Sequence, residues 1–245
     1  MSSLASQVIL HPTVAETLKV LNTTLGRDKI YRAVQYFSRF FAWYLISKGY
    51  KLEATRWNAL KGHLATARKL LRLGKPLEHL QLALRAAQTT GEVREQVTTI
   101  GRQVGYFGYL TYDAIVWANS VRFIALKPDT AAKVNKTANR FWLAGILFSI
   151  AHAVFKSARL TQEVKEVRLL SEKDIGGENA RYARVRTIEA LRTGTRHQFL
   201  IDILDLWIPA TNIGLFNFND GVLGIFGFIT SVLALQKHWS AVNAK

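Results

Sequence analysis

Residues 57–75 read Trp-Asn-Ala-Leu-Lys-Gly-His-Leu-Ala-Thr-Ala-Arg-Lys-Leu-Leu-Arg-Leu-Gly-Lys. Trp57, Leu60, Leu64, Ala67 and Leu71 follow one another at steps of three and four, the rhythm of one helix face. At about 100° per residue, Lys61, Arg68, Arg72 and Lys75 line one flank of that face. Cations at such a border can lay their methylenes on apolar surface while their heads reach phosphates, the arrangement of a helix lying in a membrane interface. A soluble bundle helix with a solvated basic flank has the same spacing, so the pattern leaves both readings open. Burying Trp57, Leu60, Leu64 and Leu71 yields roughly 1.5–3 kcal/mol each and each cation near an anionic leaflet about 1 more, against an ordering cost of about 2–5, so lipid binding is energetically within reach. A wedge of this kind expands one leaflet relative to the other and favours curvature. Gly74 and Pro76 stop the helix, and Leu77, Leu80, Leu84 and Ala87 begin a second amphipathic run, which predicts two helices hinged at 74–76.

Upstream, Ile30, Val34, Phe37, Phe41 and Tyr44 make another stripe, with Asp28, Arg32, Gln35 and Arg39 repeating the same rhythm opposite them. This spacing predicts a core helix with a solvated back. Tyr36, Phe40 and Trp43 widen the apolar arc beyond what one neighbour needs, which admits lipid or a second helix.

Downstream the chain turns greasy. Val104–Val121 is aromatic and uncharged except for Asp113. Phe141–Phe155 carries no charge and, at 15 residues, is short against the roughly 20 that a span needs; it reads equally as a span or a buried core helix. From Leu206 to Gln236 the only charge is Asp220, and Pro209, Gly214 and Asn219-Asp220-Gly221 punctuate the stretch, so two short apolar helices meeting at a turn fit as well as one long span. Gly221, Gly224 and Gly227 would let another helix approach closely. Asp113 and Asp220 should face a bundle interior, a cavity or the interface, because an ionised carboxylate among lipid tails costs about 2.5–3.5 kcal/mol or more.

The composition narrows the function classes. The 245 residues carry 33 Lys plus Arg against 17 Asp plus Glu, a formal charge of +16. Residues 1–103 hold 16 of those cations against 6 acids, so the basic excess sits beside the apolar half rather than within it. A charge this high raises nucleic acid or anionic lipid as partner, and the long apolar runs argue for lipid and against nucleic acid. With 49% apolar residues the chain is no disordered tail, and with no cysteine it has no disulfide, thiolate metal site or cysteine nucleophile. The first residues carry no positive charge ahead of an apolar run, so no secretory or transit signal is expected. His11, His63, His79, His152, His197 and His238 are scattered, and no paired carboxylates, metal-ligand spacing or phosphate-cradling loop is present. No catalytic residue, metal or cofactor is predicted, and the chain is read as a non-enzyme. Residues 156–196 are polar and mixed in sign, interrupted by Gly176-Gly177, and read as a solvated connector with helical parts.

The fold class that results is all-α: a membrane-associated helical bundle with amphipathic interfacial helices and C-terminal membrane-embedded apolar helices. Its expected organisation is a basic amphipathic region for membrane binding over 1–103, aromatic and apolar embedded helices over 104–155, a polar connector over 156–200, and an anchor with a short tail over 201–245. The expected lipid-binding residues are Trp57, Leu60, Lys61, Leu64, Arg68, Leu71, Arg72 and Lys75. A channel would instead bury Asp113, His152 and Asp220 along an aqueous path.

Four ordered blocks carry a family resemblance: Gly26–Phe40, Ala67–Glu78, Gly108–Trp117 and the apolar end from Pro209 to Leu235. Across nearly the whole chain they resemble the peroxisomal membrane proliferation proteins of the peroxin eleven type, as found in fungi. The resemblance implies a non-enzymatic protein of the peroxisomal membrane that elongates and tubulates the organelle before division, using the amphipathic helix above on an anionic phospholipid membrane. It also implies self-association, a membrane-anchored fission adaptor and a dynamin-related GTPase as partners, and no nucleic acid. Pore-forming or metabolite-exchange activity is the alternative that goes with the family. Both termini are expected on the cytosolic side, which with two spans puts the basic connector in the matrix, against a simple positive-inside rule. Asn243-Ala-Lys245 is no matrix-targeting signal, so targeting is expected to come from internal segments.

Overall fold

The structure is a computed structural model that describes residues 4–169 and 177–244. Gly176 of the expected Gly176-Gly177 break and the terminal Lys245 lie outside the described residues. Among the described residues every regular element is a helix, as the periodicities predict. In chain order they are α1 (Leu4–Ile9), α2 (Pro12–Leu21), α3 (Thr24–Ser47), α4 (Lys51–Leu70), α5 (Lys75–Gln88), α6 (Val93–Ser120), α7 (Pro128–Leu169), α8 (Glu178–Asp205), α9 (Trp207–Asn212) and α10 (Asp220–Asn243). The hinge expected at 74–76 is the break between α4 and α5. Two helices, α7 and α10, are long and apolar enough to cross a membrane.

The chain folds into two compact units that interleave along the sequence. One comprises residues 1–73, 114–126 and 216–245, and the other residues 74–113 and 127–215. The basic N-terminal stretch and the apolar C-terminal stretch therefore both contribute to the first unit.

In the first unit α3 is the central helix, packed by α4 on one side and α10 on another. Thr23 caps α3 by accepting a hydrogen bond from the Gly26 amide at 2.9 Å, and Asn219 caps α10 by accepting from the Val222 amide at 3.0 Å. Gly49, at φ 87°, supplies the left-handed residue that lets α3 turn back into α4. The apolar stretch 206–236 is divided between two helices, as one of the two expectations had it: the short α9 ends at Asn212, Gly214 turns the chain at φ 87°, and the longer α10 begins at Asp220.

In the second unit α7 dominates. Its 42 residues span about 63 Å at 1.5 Å per residue, roughly twice the hydrocarbon thickness of a bilayer. The uncharged run 141–155 is therefore the middle of a longer helix rather than a helix by itself. Beyond it, Leu160, Val164 and Val167 pack on Val185 and Ile188 of α8, with Arg168–Glu189 and Arg184–Glu163 ion pairs at the exposed rim. That is the apolar-in, charged-out pattern of a helix pair in water, so the expected connector is a packed antiparallel pair where it is described. On the apolar stretch of α7, Gly145 faces Gly105 of α6 so closely that a Cβ on Gly105 would lie 2.6 Å from the Gly145 Cα.

Candidate membrane interface

The first unit is built the opposite way from the pair just described. The residues of α3 that are sealed from solvent are Gly26, Asp28, Arg32, Tyr36, Ser38 and Ala42, while Val34, Phe37 and Tyr44 of its apolar stripe are exposed. The expected solvated back of α3 is in fact its contact face. Asp28, only 6% exposed, accepts from Arg68 Nε of α4 at 3.0 Å, and Arg68 Nη1 donates to Gln35 Oε1 at 2.7 Å. At the other end Arg39 donates through Nε and Nη2 to Asp220 Oδ1 at 2.9 and 2.7 Å, and Lys61 Nζ lies 3.5 Å from Asp220 Oδ2. A polar seam thus ties α4 and α10 to α3.

Burial pushes the Asp28 carboxyl up, but Arg68, Lys29 and Arg72 beside it pull further, and it titrates below the ordinary carboxylate value. A depressed carboxylate contributes stability that is complete above its unfolded value, about 3.9, and disappears as pH falls through the lower folded value. Near-UV circular dichroism melts in detergent should therefore weaken in solution more acid than about pH 4. Asp28→Asn should reduce that acid dependence; an unchanged acid profile in the variant would assign the effect to another group.

The α10 side of the seam is small. Gly221, Gly224 and Gly227 lie against Trp43, Phe40 and Tyr36 in antiparallel register, and a Cβ on each would come within 2.5, 2.6 and 2.2 Å of its neighbour. The register runs the length of the pair, since Thr23 Oγ1 and His238 Nε2 meet at 2.8 Å beyond its far end.

The expected lipid-binding residues fall into two groups. On α4, Ala54, Lys61 and Arg68 face α3, and the apolar line of Leu60 and Leu64 points roughly 80° away from them, with Trp57 between. Trp57 packs edge-on against Phe41, ring centres 4.9 Å apart, and against Phe37 at 5.8 Å. Leu60 is 38% exposed, and Leu64 and Leu71 are half-buried. The cations are more committed than their spacing implies: Lys61 and Arg68 serve the seam, Arg72 Nε donates to the Arg68 carbonyl at 3.2 Å, and Lys75, the first residue of α5, pairs with Glu78 at 2.9 Å. On α5 the stripe is outward, with Leu77 71% exposed and Leu80 and Leu84 exposed beside it, while Ala83 is buried and His79 meets Gln103 at 2.6 Å.

Of the three expected pore residues, Asp220 belongs to the first unit and Asp113 and His152 to the second. Asp113 is buried. His152 Nδ1 lies 3.2 Å from Thr99 Oγ1 and 3.3 Å from the Glu95 carbonyl, at the edge of a groove of about 460 Å³ that Glu95 and Arg159 also line. The polar residue that sequence reasoning misses is Asp202 on α8, which is fully buried and accepts from Ser149 Oγ of α7 at 2.5 Å and Gln198 Nε2 at 2.9 Å. Its setting in Phe-Leu-Ile-Asp-Ile-Leu-Asp, 199–205, is the signal that was there to find.

An all-helical chain with two helices able to cross a membrane and a polar seam turned inward is the setting in which the comparisons fall. A model of the family described as Peroxisomal biogenesis factor 11 (PEX11) matches residues 14–239. This chain belongs to that family. Among PEX11 relatives, Peroxisomal membrane protein PMP30B of Candida boidinii is 27% identical over 258 residues, covering 97% of this chain and 98% of its own. Peroxisomal membrane protein PMP27 of Saccharomyces cerevisiae (strain ATCC 204508 / S288c) is 26% identical over 238 residues, with 96% and 98% covered. Peroxisomal membrane protein 11A of Rattus norvegicus is 25% identical, with 89% and 93% covered. No solved structure matches the chain. Membership in PEX11 and the names of its relatives place the protein in the peroxisomal membrane and among membrane and biogenesis proteins rather than named enzymes.

Proposed function

We propose that this PEX11 protein remodels the peroxisomal membrane, elongating and tubulating it ahead of division by laying apolar helix faces of its N-terminal part into one leaflet. The observation that carries the reading is the placement of polar groups in the first unit, in which Asp28, Arg32, Ser38 and Arg68 are sealed between the helices while Val34, Phe37, Tyr44 and Phe228 keep exposed faces. In water this order forgoes part of the roughly 1.5–3 kcal/mol that full burial of each large apolar side chain would give. In lipid the outward residues are solvated and the inward polar ones are matched. The apolar edge of α4 and the outward leucines of α5 supply amphipathic segments, one in each unit, for an anionic phospholipid surface. Thr23 and His238 lie at the same end of the α3–α10 pair, which supports both ends of the chain lying on one side of the membrane, and the proposal takes that side as the cytosol. Self-association, a fission adaptor and a dynamin-related GTPase complete the proposal as the partners that act on the elongated membrane.

The test uses the full chain reconstituted into liposomes containing phosphatidylglycerol. The wild type should draw tubules visible by electron microscopy. Leu60→Asp with Leu77→Asp, both at exposed positions, should leave the protein in the membrane fraction and abolish the tubules. Tubules of normal number from that variant would remove both helices from the mechanism.

A further inference from the structure

We propose that the main lipid-contacting surface of the first unit is the outer stripe of α3, continuous with α10, and that its occupant is the acyl-chain region of a bilayer. On this geometry α4 lies at the border of the surface. The inference concerns which side chains touch lipid and does not depend on whether the contact bends the membrane.

The stripe is a connected sheet of rings. Phe37 stacks on Phe41 with centres 5.7 Å apart, Phe41 on Tyr44 at 6.1 Å, and Phe37 meets Phe228 of α10 at 5.9 Å. Phe37 and Tyr44 remain 38% and 42% exposed despite these contacts, and Val34 beside them is exposed too. On α10 the exposed continuation is Ile225, Phe228, Ile229 and Val232. Val34, Phe37, Phe41, Phe228 and Ile229 carry no group that could hydrogen-bond a protein partner, and the charged Asp28, Arg32 and Arg39 of α3 are turned to the opposite side. A protein docking site usually keeps some polar anchors among its apolar contacts; acyl chains need none.

Continuity decides the occupant. α10 is apolar and long enough to cross a membrane, and it runs alongside α3 from Gly221 at Trp43 to Gly227 at Tyr36. Residues 36–43 of α3 therefore share the depth of residues 221–227 of α10. Hydropathy alone hides α3, because Arg32, Gln35 and Arg39 lower its mean, yet Gln35 and Arg39 are bonded inward and Arg32 is buried with its guanidinium 5.3 Å over the Tyr36 ring. At the Tyr44 end, Lys48 Nζ lies 5.8 Å over the ring, a cation and an amphipathic aromatic of the kind that mark the headgroup level.

The absence of cysteine from the chain makes the test direct. Val34→Cys and Ile229→Cys are labelled singly with a bimane fluorophore in the full-length protein in phosphatidylcholine–phosphatidylglycerol vesicles, with Thr55→Cys, exposed on the side of α4 opposite its apolar line, as reference. Lipids bearing a nitroxide in the acyl chain should quench the Val34 and Ile229 labels several-fold more than the Thr55 label, and aqueous iodide should do the reverse. Iodide quenching of Val34 equal to that of Thr55 overturns the proposal, because the stripe then faces water. Protection of Val34 from both quenchers also overturns it, because a second copy or another protein then covers the stripe. Each result can be read whether or not the vesicles tubulate.

Discussion

Arg68→Ala should cost about 3–5 kcal/mol of folding stability in detergent, the usual penalty for removing one partner of a buried ion pair. The guanidinium holds Asp28 at 3.0 Å and Gln35 at 2.7 Å, and both Asp28 and Arg68 are nearly sealed from solvent. Truncation leaves a carboxylate facing a cavity, with Lys29 of its own helix still 3.7 Å away. Arg68→Lys should fall between, since an ammonium cannot bridge a carboxylate and an amide through the fork that a guanidinium offers. The double change Asp28→Leu with Arg68→Met should cost far less than Arg68→Ala, because two apolar side chains of similar bulk leave no charge stranded. Chemical denaturation of the three variants checks the order. A loss below about 1 kcal/mol for Arg68→Ala would be the signature of an exposed pair and would mean that α4 does not rest on α3 in the micelle.

That experiment bears on function because α4 carries the segment with the most obvious amphipathic rhythm. Its cations cannot both hold the seam and reach headgroups. While Arg68 and Lys61 are engaged with Asp28 and Asp220, the electrostatic share of lipid binding falls to other residues, and the aromatic stripe of α3 gains weight.

The helices were legible in the sequence because periodicity is a local property. The stripes at 30–44, 57–71 and 77–87, the stop at Gly74 and Pro76, and the break around Gly214 all reappear as elements or their ends. The close approach permitted by Gly221, Gly224 and Gly227 was legible too, since a missing Cβ has few other uses in an apolar helix. Which face of α3 turns inward was not. Periodicity separates two faces without saying which solvent surrounds them, and the default that apolar means inside holds only in water. The partners of the polar residues were equally hidden, because Asp28 finds Arg68 40 residues away and Ser149 finds Asp202 53 away. Asp202 escaped notice because an acid ending a polar segment looks solvated until its partner helix is placed. Arg68 and Lys61 look like border cations for the same reason.

Gly224→Val should separate α10 from α3. A Cβ at 224 would sit 2.6 Å from the Phe40 amide nitrogen and 2.8 Å from its Cα, so the obstacle is backbone, which cannot rotate aside. The neighbours in the register grade the effect. At Gly227 the obstacle is the Tyr36 ring at 2.2 Å, which is buried and has little room to turn. At Gly221 it is the indole of Trp43, which is exposed enough to swing away. Overpacking costs typically about 1–3 kcal/mol and occasionally more, so Gly224→Val should lie at or above the top of that range, Gly227→Val near its top and Gly221→Val near its bottom. The consequence reaches the ion pairs, because Arg39 and Lys61 meet Asp220 only while α10 lies in register beside α3. Disulfide trapping between Thr23→Cys and His238→Cys, whose native side chains touch at 2.8 Å, reads the register at the far end. The trap should close in the otherwise unchanged protein and in the Gly221→Val background, and fail in the Gly224→Val background. Equal trapping in all three would show that the glycines are not what brings the two helices together.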